Sequence, residues 1–154
     1  MEEMQIVAFN LANEEYGVDI LNVQEIIRPT VITRVPKAPS YLVGVINLRG
    51  NVVPVIDLRK RFGITGEASN EQNCRIIILS IFDLKIGITV DRVTEVLRLS
   101  KENIEEPSLI EVLDNRFVQG VGKFNERLII LLDLVQVLEL TSEKNPETTD
   151  VRGE

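Results

Sequence analysis

The chain has no histidine and no tryptophan among its 154 residues, one cysteine, two tyrosines and five phenylalanines. Lack of histidine removes the commonest general base near neutral pH and the commonest transition-metal ligand. A single cysteine, Cys74, builds neither a thiolate zinc site nor an internal disulfide, and it fits a reducing compartment. It opens an apolar stretch, which suits a small packed side chain better than a nucleophile. No serine stands in a Gly-x-Ser-x-Gly elbow. Gly120-Val121-Gly122-Lys123 fails as a phosphate loop, because Phe124 replaces the required Ser or Thr and Phe117 the leading glycine. The expectation is a non-enzyme without metal or cofactor.

Positive charge is also scarce. Seventeen Lys and Arg against 24 Asp and Glu leave a net charge of −7, which argues against a nucleic-acid ligand. The one compact basic run, Arg59-Lys60-Arg61, reads as the solvated face of a short helix. Apolar runs such as Arg75-Ile76-Ile77-Ile78-Leu79 are too short to span a bilayer, and Met1-Glu2-Glu3 carries acid where a secretory leader needs base. A cytoplasmic location without membrane insertion is expected.

What the chain does have is Ile, Val and Leu, a bias that favours pleated strands. In Gln5 to Leu11, Val7, Phe9 and Leu11 alternate with Ala8 and Asn10, as in a half-buried strand. Ala12 to Glu15 turns the chain, and Tyr16 to Ile20 alternates again. A second hairpin of the same design follows: Arg75 to Phe82, a turn at Asp83-Leu84-Lys85, and Ile86 to Val90. Gly17-Val18-Asp19 through Glu25 to Arg28 matches Gly87-Ile88-Thr89 through Glu95 to Arg98 at a spacing of 70. Val52 to Leu58 matches Leu128 to Leu134 at a spacing of 76. One supersecondary unit is used twice.

Each copy offers about five short strands, which leave exposed edges unless the sheet curls shut. The predicted fold is all-β with a few short helices: two five-stranded β-barrels packed over a shared core. A domain over 1–140 divides into barrels at about 14–63 and 74–140, with the strand at 5–11 completing the assembly. Gly63 to Asn73 reads as a mobile connection and 141–154 as a disordered tail. Asp57 and Asp133 stand where a strand runs into a helix, which makes them N-caps rather than a catalytic pair. Glu25 and Glu95 read as exposed glutamates at equivalent positions.

The segment Val35 to Arg61 is dense in special residues. Pro36 and Pro39 make a rigid loop, Ser40 is positioned to cap a short turn ended by Gly44, and Gly50-Asn51 suits a tight hairpin. Pro54 argues for an edge strand or a bulge. An edge beside a rigid loop makes Arg49 either a docking side chain or an ordinary solvated turn residue.

Gly44-Val45-Ile46-Asn47-Leu48-Arg49-Gly50, followed by Val53-Pro54-Val55-Ile56-Asp57-Leu58-Arg59, resembles the signature segment of CheW-type chemotaxis coupling proteins. So do the upstream Glu14 to Ile26 and the downstream Val90-Asp91-Arg92-Val93. The resemblance runs in order from about Gln5 to Leu140. It implies two SH3-like barrels and an adaptor that couples the cytoplasmic tips of chemoreceptors to the histidine kinase CheA, recruited to receptor arrays through these partners. By matching motif, the receptor-facing residues are Val23, Glu25, Gly44, Asn47 and Arg49, and the kinase-facing surface belongs to the first barrel. The regulatory domain of a CheA-like kinase and the adaptor half of a CheV-like protein are alternatives on the same fold. An SH3-like barrel enzyme or small-ligand binder is a remoter one.

Overall fold

The computed structural model describes residues 2–64, 71–106 and 117–138. The tail expected at 141–154 and most of the expected connection lie outside the described residues. Among the described residues eleven strands dominate, and they form two mixed sheets.

The N-terminal hairpin is β1 (Glu3–Leu11) and β2 (Glu14–Asp19). Its turn is Ala12-Asn13, so Glu14 and Glu15 belong to the return strand. A 3-10 turn, Ile20–Asn22, leads to β3 (Val23–Ile27). Next come β4 (Leu42–Leu48), β5 (Asn51–Asp57) and the short helix α1 (Leu58–Phe62). The second hairpin is β6 (Arg75–Ile81) and β7 (Leu84–Val90), turning at Phe82-Asp83 rather than at 83–85. Then follow β8 (Arg92–Ser100), β9 (Ile104–Glu105), β10 (Val118–Phe124), β11 (Arg127–Leu132) and helix α2 (Leu134–Leu138).

Each Asp-Leu junction is capped as predicted. Asp57 Oδ1 accepts the Arg59 and Lys60 amides at 2.9 and 3.3 Å, and Asp133 Oδ1 accepts the Gln136 amide at 3.2 Å. Gly63, at φ 70°, ends α1 in the left-handed conformation that glycine adopts without a Cβ penalty. Ser40 caps no helical turn, because Leu42 to Gly44 are already in β4; residues 39–42 close with the Leu42 amide on the Pro39 carbonyl at 3.0 Å.

One sheet has the order β8-β1-β2-β11-β10-β9 and the other β3-β6-β7-β5-β4. The first has six strands where five were expected, the extra one being the two-residue β9. The sheets do not follow the halves of the repeat. The β1–β2 hairpin joins strands of the second half, and β6–β7 joins strands of the first. Parallel contacts splice each hairpin in: Leu131 beside Gly17, and at the repeat-equivalent place Val55 beside Gly87.

Both sheets curl until their ends meet. In the six-stranded sheet Gly122 of β10 lies against Leu99 of β8, so close that a methyl group there would fall 2.6 Å from the Leu99 Cδ1. In the five-stranded sheet Ile27 of β3 and Ile46 of β4 pack in one small core with Val53, Val55, Ile76 and Ile78. A matching core, with Ile6, Ala8, Leu97, Leu99, Ile129 and Leu131, fills the other barrel. Between the barrels lies the larger shared core, with Val7, Phe9 and Leu11 facing Ile77, Leu79 and Ile88. The central strands β1 and β6 are therefore buried on both faces. Ile6 and Ala8 are as inaccessible as Phe9, so the half-buried reading of β1 was too shallow. Among the described residues no helix is long and apolar enough to cross a membrane.

Candidate partner-docking site

The β4–β5 hairpin positions the first candidate side chains. Arg49 and Gly50 are its two central residues, at φ 51° and 88°, the positive pair that a type I′ turn requires and that matches strand twist. The turn is thus one residue earlier than Gly50-Asn51. Asn47 steadies it, its Oδ1 accepting the Gly50 amide at 2.9 Å.

From this turn Arg49 reaches Glu25 on β3 with both arms of its guanidinium. Nη2 donates to Oε1 at 2.7 Å and Nη1 to Oε2. β3 and β4 are opposite edges of their sheet, so this fork-to-fork pair closes the barrel across its open seam. The Arg49 hydrogen bond holds the Glu25 carboxyl below its ordinary pKa, and Glu25 in turn raises the guanidinium's. The Arg49 side chain remains 67% exposed, so pairing leaves much of its surface available.

The other expected site residues sit differently. Val23, partly buried, packs on the shared core and pairs with Leu79 at a bulge that offsets Glu25. Gly44 is buried where the chain from β3 crosses β4, with Thr33 and Val45 exchanging backbone hydrogen bonds of 2.8 Å. A Cβ at Gly44 would meet the Thr33 carbonyl oxygen at 2.2 Å, so only glycine lets the segment past. The half-buried Glu25 and the exposed Asn47 and Arg49 form one cluster; Val23 and Gly44 support it from beneath and beside.

The CheW-like domain family model matches residues 5–142. The chain is 38% identical to the chemotaxis protein CheW of Helicobacter pylori, over 90% of this chain and 83% of that one. It is 41% identical to CheW of Klebsiella aerogenes, over 87% and 81%. The crystal structure of the scaffolding protein TtCheW from Thermoanaerobacter tengcongensis superposes with a TM-score of 0.79 at 41% identity, covering 87% of this chain and 86% of that one. This chain belongs to the CheW family. It is a chemotaxis adaptor, and these matches support that reading over its alternatives.

The CheW barrel pair carries a second clasp that sequence reasoning missed. Glu95, equivalent to Glu25, accepts Nη1 of Arg127 at 2.8 Å, and Arg127 also grips Glu15 through Nε at 3.1 Å and Nη2 at 2.5 Å. Thr94 adds a hydroxyl 3.1 Å from Glu15. The Arg127 hydrogen bond keeps the Glu15 carboxyl below its ordinary pKa despite partial burial. Both glutamates expected to be solvated are thus paired, although Arg49 and Arg127 occupy non-equivalent positions of the repeat. Only the recurrence of Glu25 and Glu95 hinted at this.

The basic run of α1 is likewise no solvated face. Lys60 is exposed, but Arg59 is 13% exposed and donates to Asp91 at 2.7 Å, while Asp91 also accepts the Ala12 amide at 2.8 Å. The Arg61 guanidinium lies 4.9 Å from the ring centres of Tyr41 and Phe117, and its Nε donates to the Val137 carbonyl at the end of α2. Phe62 continues a file of rings from Phe9 through Tyr16 to Phe117. Helix α1 fastens one barrel to the other.

Proposed function

We propose that this CheW-family adaptor bridges the cytoplasmic tip of a chemoreceptor to the regulatory domain of the histidine kinase CheA. It works in the cytoplasm without catalysis of its own, and gathers at membrane arrays through its partners. The receptor side is the Glu25–Arg49 clasp with Asn47, positioned by Val23 and Gly44; the kinase side is elsewhere on the same barrel. The observation that carries this reading is a guanidinium fixed by two hydrogen bonds yet two-thirds exposed at a barrel rim. A pre-ordered arginine loses little freedom on meeting a second acceptor, the property that favours arginine at interface anchors.

Arg49→Glu tests the reading, with receptor hairpin fragment and kinase regulatory domain titrated separately. Receptor affinity falls at least tenfold while kinase affinity stays within a few-fold. The swapped variant Glu25→Arg/Arg49→Glu restores an ion pair with reversed polarity. If Arg49 itself meets the receptor, the swap stays folded and receptor binding stays weak. Full recovery in the swap would make the clasp purely a barrel fastener, and equal loss for both partners would move the receptor surface elsewhere.

A further inference from the structure

On a chain with a net charge of −7, the five-stranded barrel carries a local surplus of positive charge. Beside β4, the loop from Arg34 to Ser40 and the start of α1 enclose a pocket of about 630 Å³. β4 is an edge of its sheet, whereas β5, which Pro54 marked for that position, is central in strand order. Arg34, Lys37 and Lys60 line the pocket together with a single carboxylate, Asp57. Asp57 commits its Oδ1 to the Arg59 and Lys60 amides and answers at most one of the three cations. Among the described residues none of the three makes a side-chain hydrogen bond or an ion pair. The repeat equivalent of Lys60 is the uncharged Gln136, so this charge is no part of the shared barrel plan.

The loop holds these charges in a fixed frame. Thr33 and Val45 tie its root through two backbone hydrogen bonds of 2.8 Å, and the Leu42 amide closes its far end on the Pro39 carbonyl at 3.0 Å. Pro36 and Pro39 fix the backbone on either side of Lys37. Lys37 itself sits at φ 62°, the left-handed region that a turn ordinarily gives to glycine or asparagine. A lysine there is strained, and strain of this kind concentrates where a surface binds something. The strained residue supplies the third positive charge of the pocket wall.

We infer that this pocket is a docking site for an acidic protein segment, a short run of carboxylates around one aliphatic side chain. Three unanswered cations on separate side chains suit separate carboxylates, and Val35, 41% exposed, gives the aliphatic group a wall to cover. A phosphate group is a poorer match, because phosphate sites draw on clustered backbone N–H groups. Pro36 and Pro39 have none, and the amides of Leu42, Asp57, Arg59 and Lys60 are already bonded. Nucleic acid and anionic membranes present charge over a much larger area, where the acidic remainder of the chain repels them. The pocket opens at the start of β4 and Arg49 follows its far end, roughly 20 Å away along the strand. The inference therefore stands whichever partner the Arg49 clasp meets.

The test titrates the capped peptide acetyl-Glu-Val-Glu-Glu-amide into the full chain, followed by backbone-amide NMR, with acetyl-Gln-Val-Gln-Gln-amide and inorganic phosphate as controls. Saturable shifts are expected at Arg34, Lys37, Ala38 and Lys60 with the glutamate peptide, at least fivefold weaker with the glutamine peptide and with phosphate. Lys37→Gly removes the charge and the strain together, so it weakens the peptide at least threefold while leaving the melting temperature unchanged or higher. Arg34→Gln/Lys60→Gln weakens it at least as much. Arg49→Glu leaves it within twofold, because the clasp lies beyond the screening length of about 10 Å. Absence of saturable shifts, equal response to the two peptides or to phosphate, or undiminished binding in folded Lys37→Gly would overturn the proposal. So would a loss in Arg49→Glu as large as that in Lys37→Gly. If Lys37→Gly does not fold, the double variant decides.

Discussion

Replacing Asp91 by asparagine removes one charge from a pair that water barely reaches, the two side chains being 6% and 13% exposed. Asp91 Oδ2 serves two donors, Arg59 Nη1 at 2.7 Å and the Ala12 amide at 2.8 Å. Asparagine preserves the volume and one acceptor oxygen, so cavity formation does not enter. What disappears is the counter-charge to a guanidinium held between two barrels. Removing one partner of a buried pair costs about 3–5 kcal/mol, and the residual exposure of Arg59 places this case near 3 kcal/mol. At about 2–4 °C per kcal/mol for a chain of this size, the melting temperature drops by roughly 6–12 °C. Thermal and urea denaturation followed by circular dichroism at neutral pH measure it. Combining Asp91→Asn with Arg59→Met should cost less than the two changes summed, by about 1.5 kcal/mol or more. A loss below about 1 kcal/mol for Asp91→Asn, or strict additivity, would refute the claim that this pair fastens the barrels.

Gly44→Ala should destabilise by about 2–3 kcal/mol, because its Cβ meets a backbone oxygen that cannot rotate away. Gly50→Ala, with open space around its Cβ and only the left-handed φ to bear, should cost about 1 kcal/mol, and denaturation midpoints separate the two. Arg61→Ala should lose about 1–3 kcal/mol in the same assay through two ring contacts and the Val137 hydrogen bond. Acid should weaken the wild type in a window set by Glu15. Its folded pKa lies below the ordinary value of 4.5, so its contribution is complete above that value and fades as pH falls through the lowered one. Melting temperatures taken down that range should fall less steeply for Glu15→Gln, and parallel curves would count against the Arg127–Glu15 bond.

Local pattern carried the strands well because a period of two survives wherever a strand pairs. It also carried both aspartate caps, whose partners are two and three residues away. It could not assign hairpins to barrels: the alternation of Val7, Phe9 and Leu11 looks the same whether β1 pairs next to its own half or next to β8. It underrated β1 because Ile6 and Ala8 face a small second core that no single segment advertises. Arg59, Arg61 and Arg127 were invisible as fasteners for the same reason. Their partners Asp91, Val137 and Glu15 lie 32, 76 and 112 residues away, and charge composition does not encode such distances. The Glu25–Arg49 pair was half legible, since both residues were named from motif yet nothing local joined them.

The exchange of hairpins has a consequence for how the molecule is made. On a ribosome adding about 5–20 residues per second, the β1–β2 hairpin emerges first and finds no barrel to join. Ile6 must wait for Leu97 and Gly17 for Leu131, a delay of several seconds or more during which β1 offers apolar groups on both faces. Strands β3 to β5 likewise remain open until β6 and β7 arrive, and the first barrel closes before the second although it starts later. The β1–β2 hairpin, made ahead of the strands it joins, is therefore the last to be enclosed.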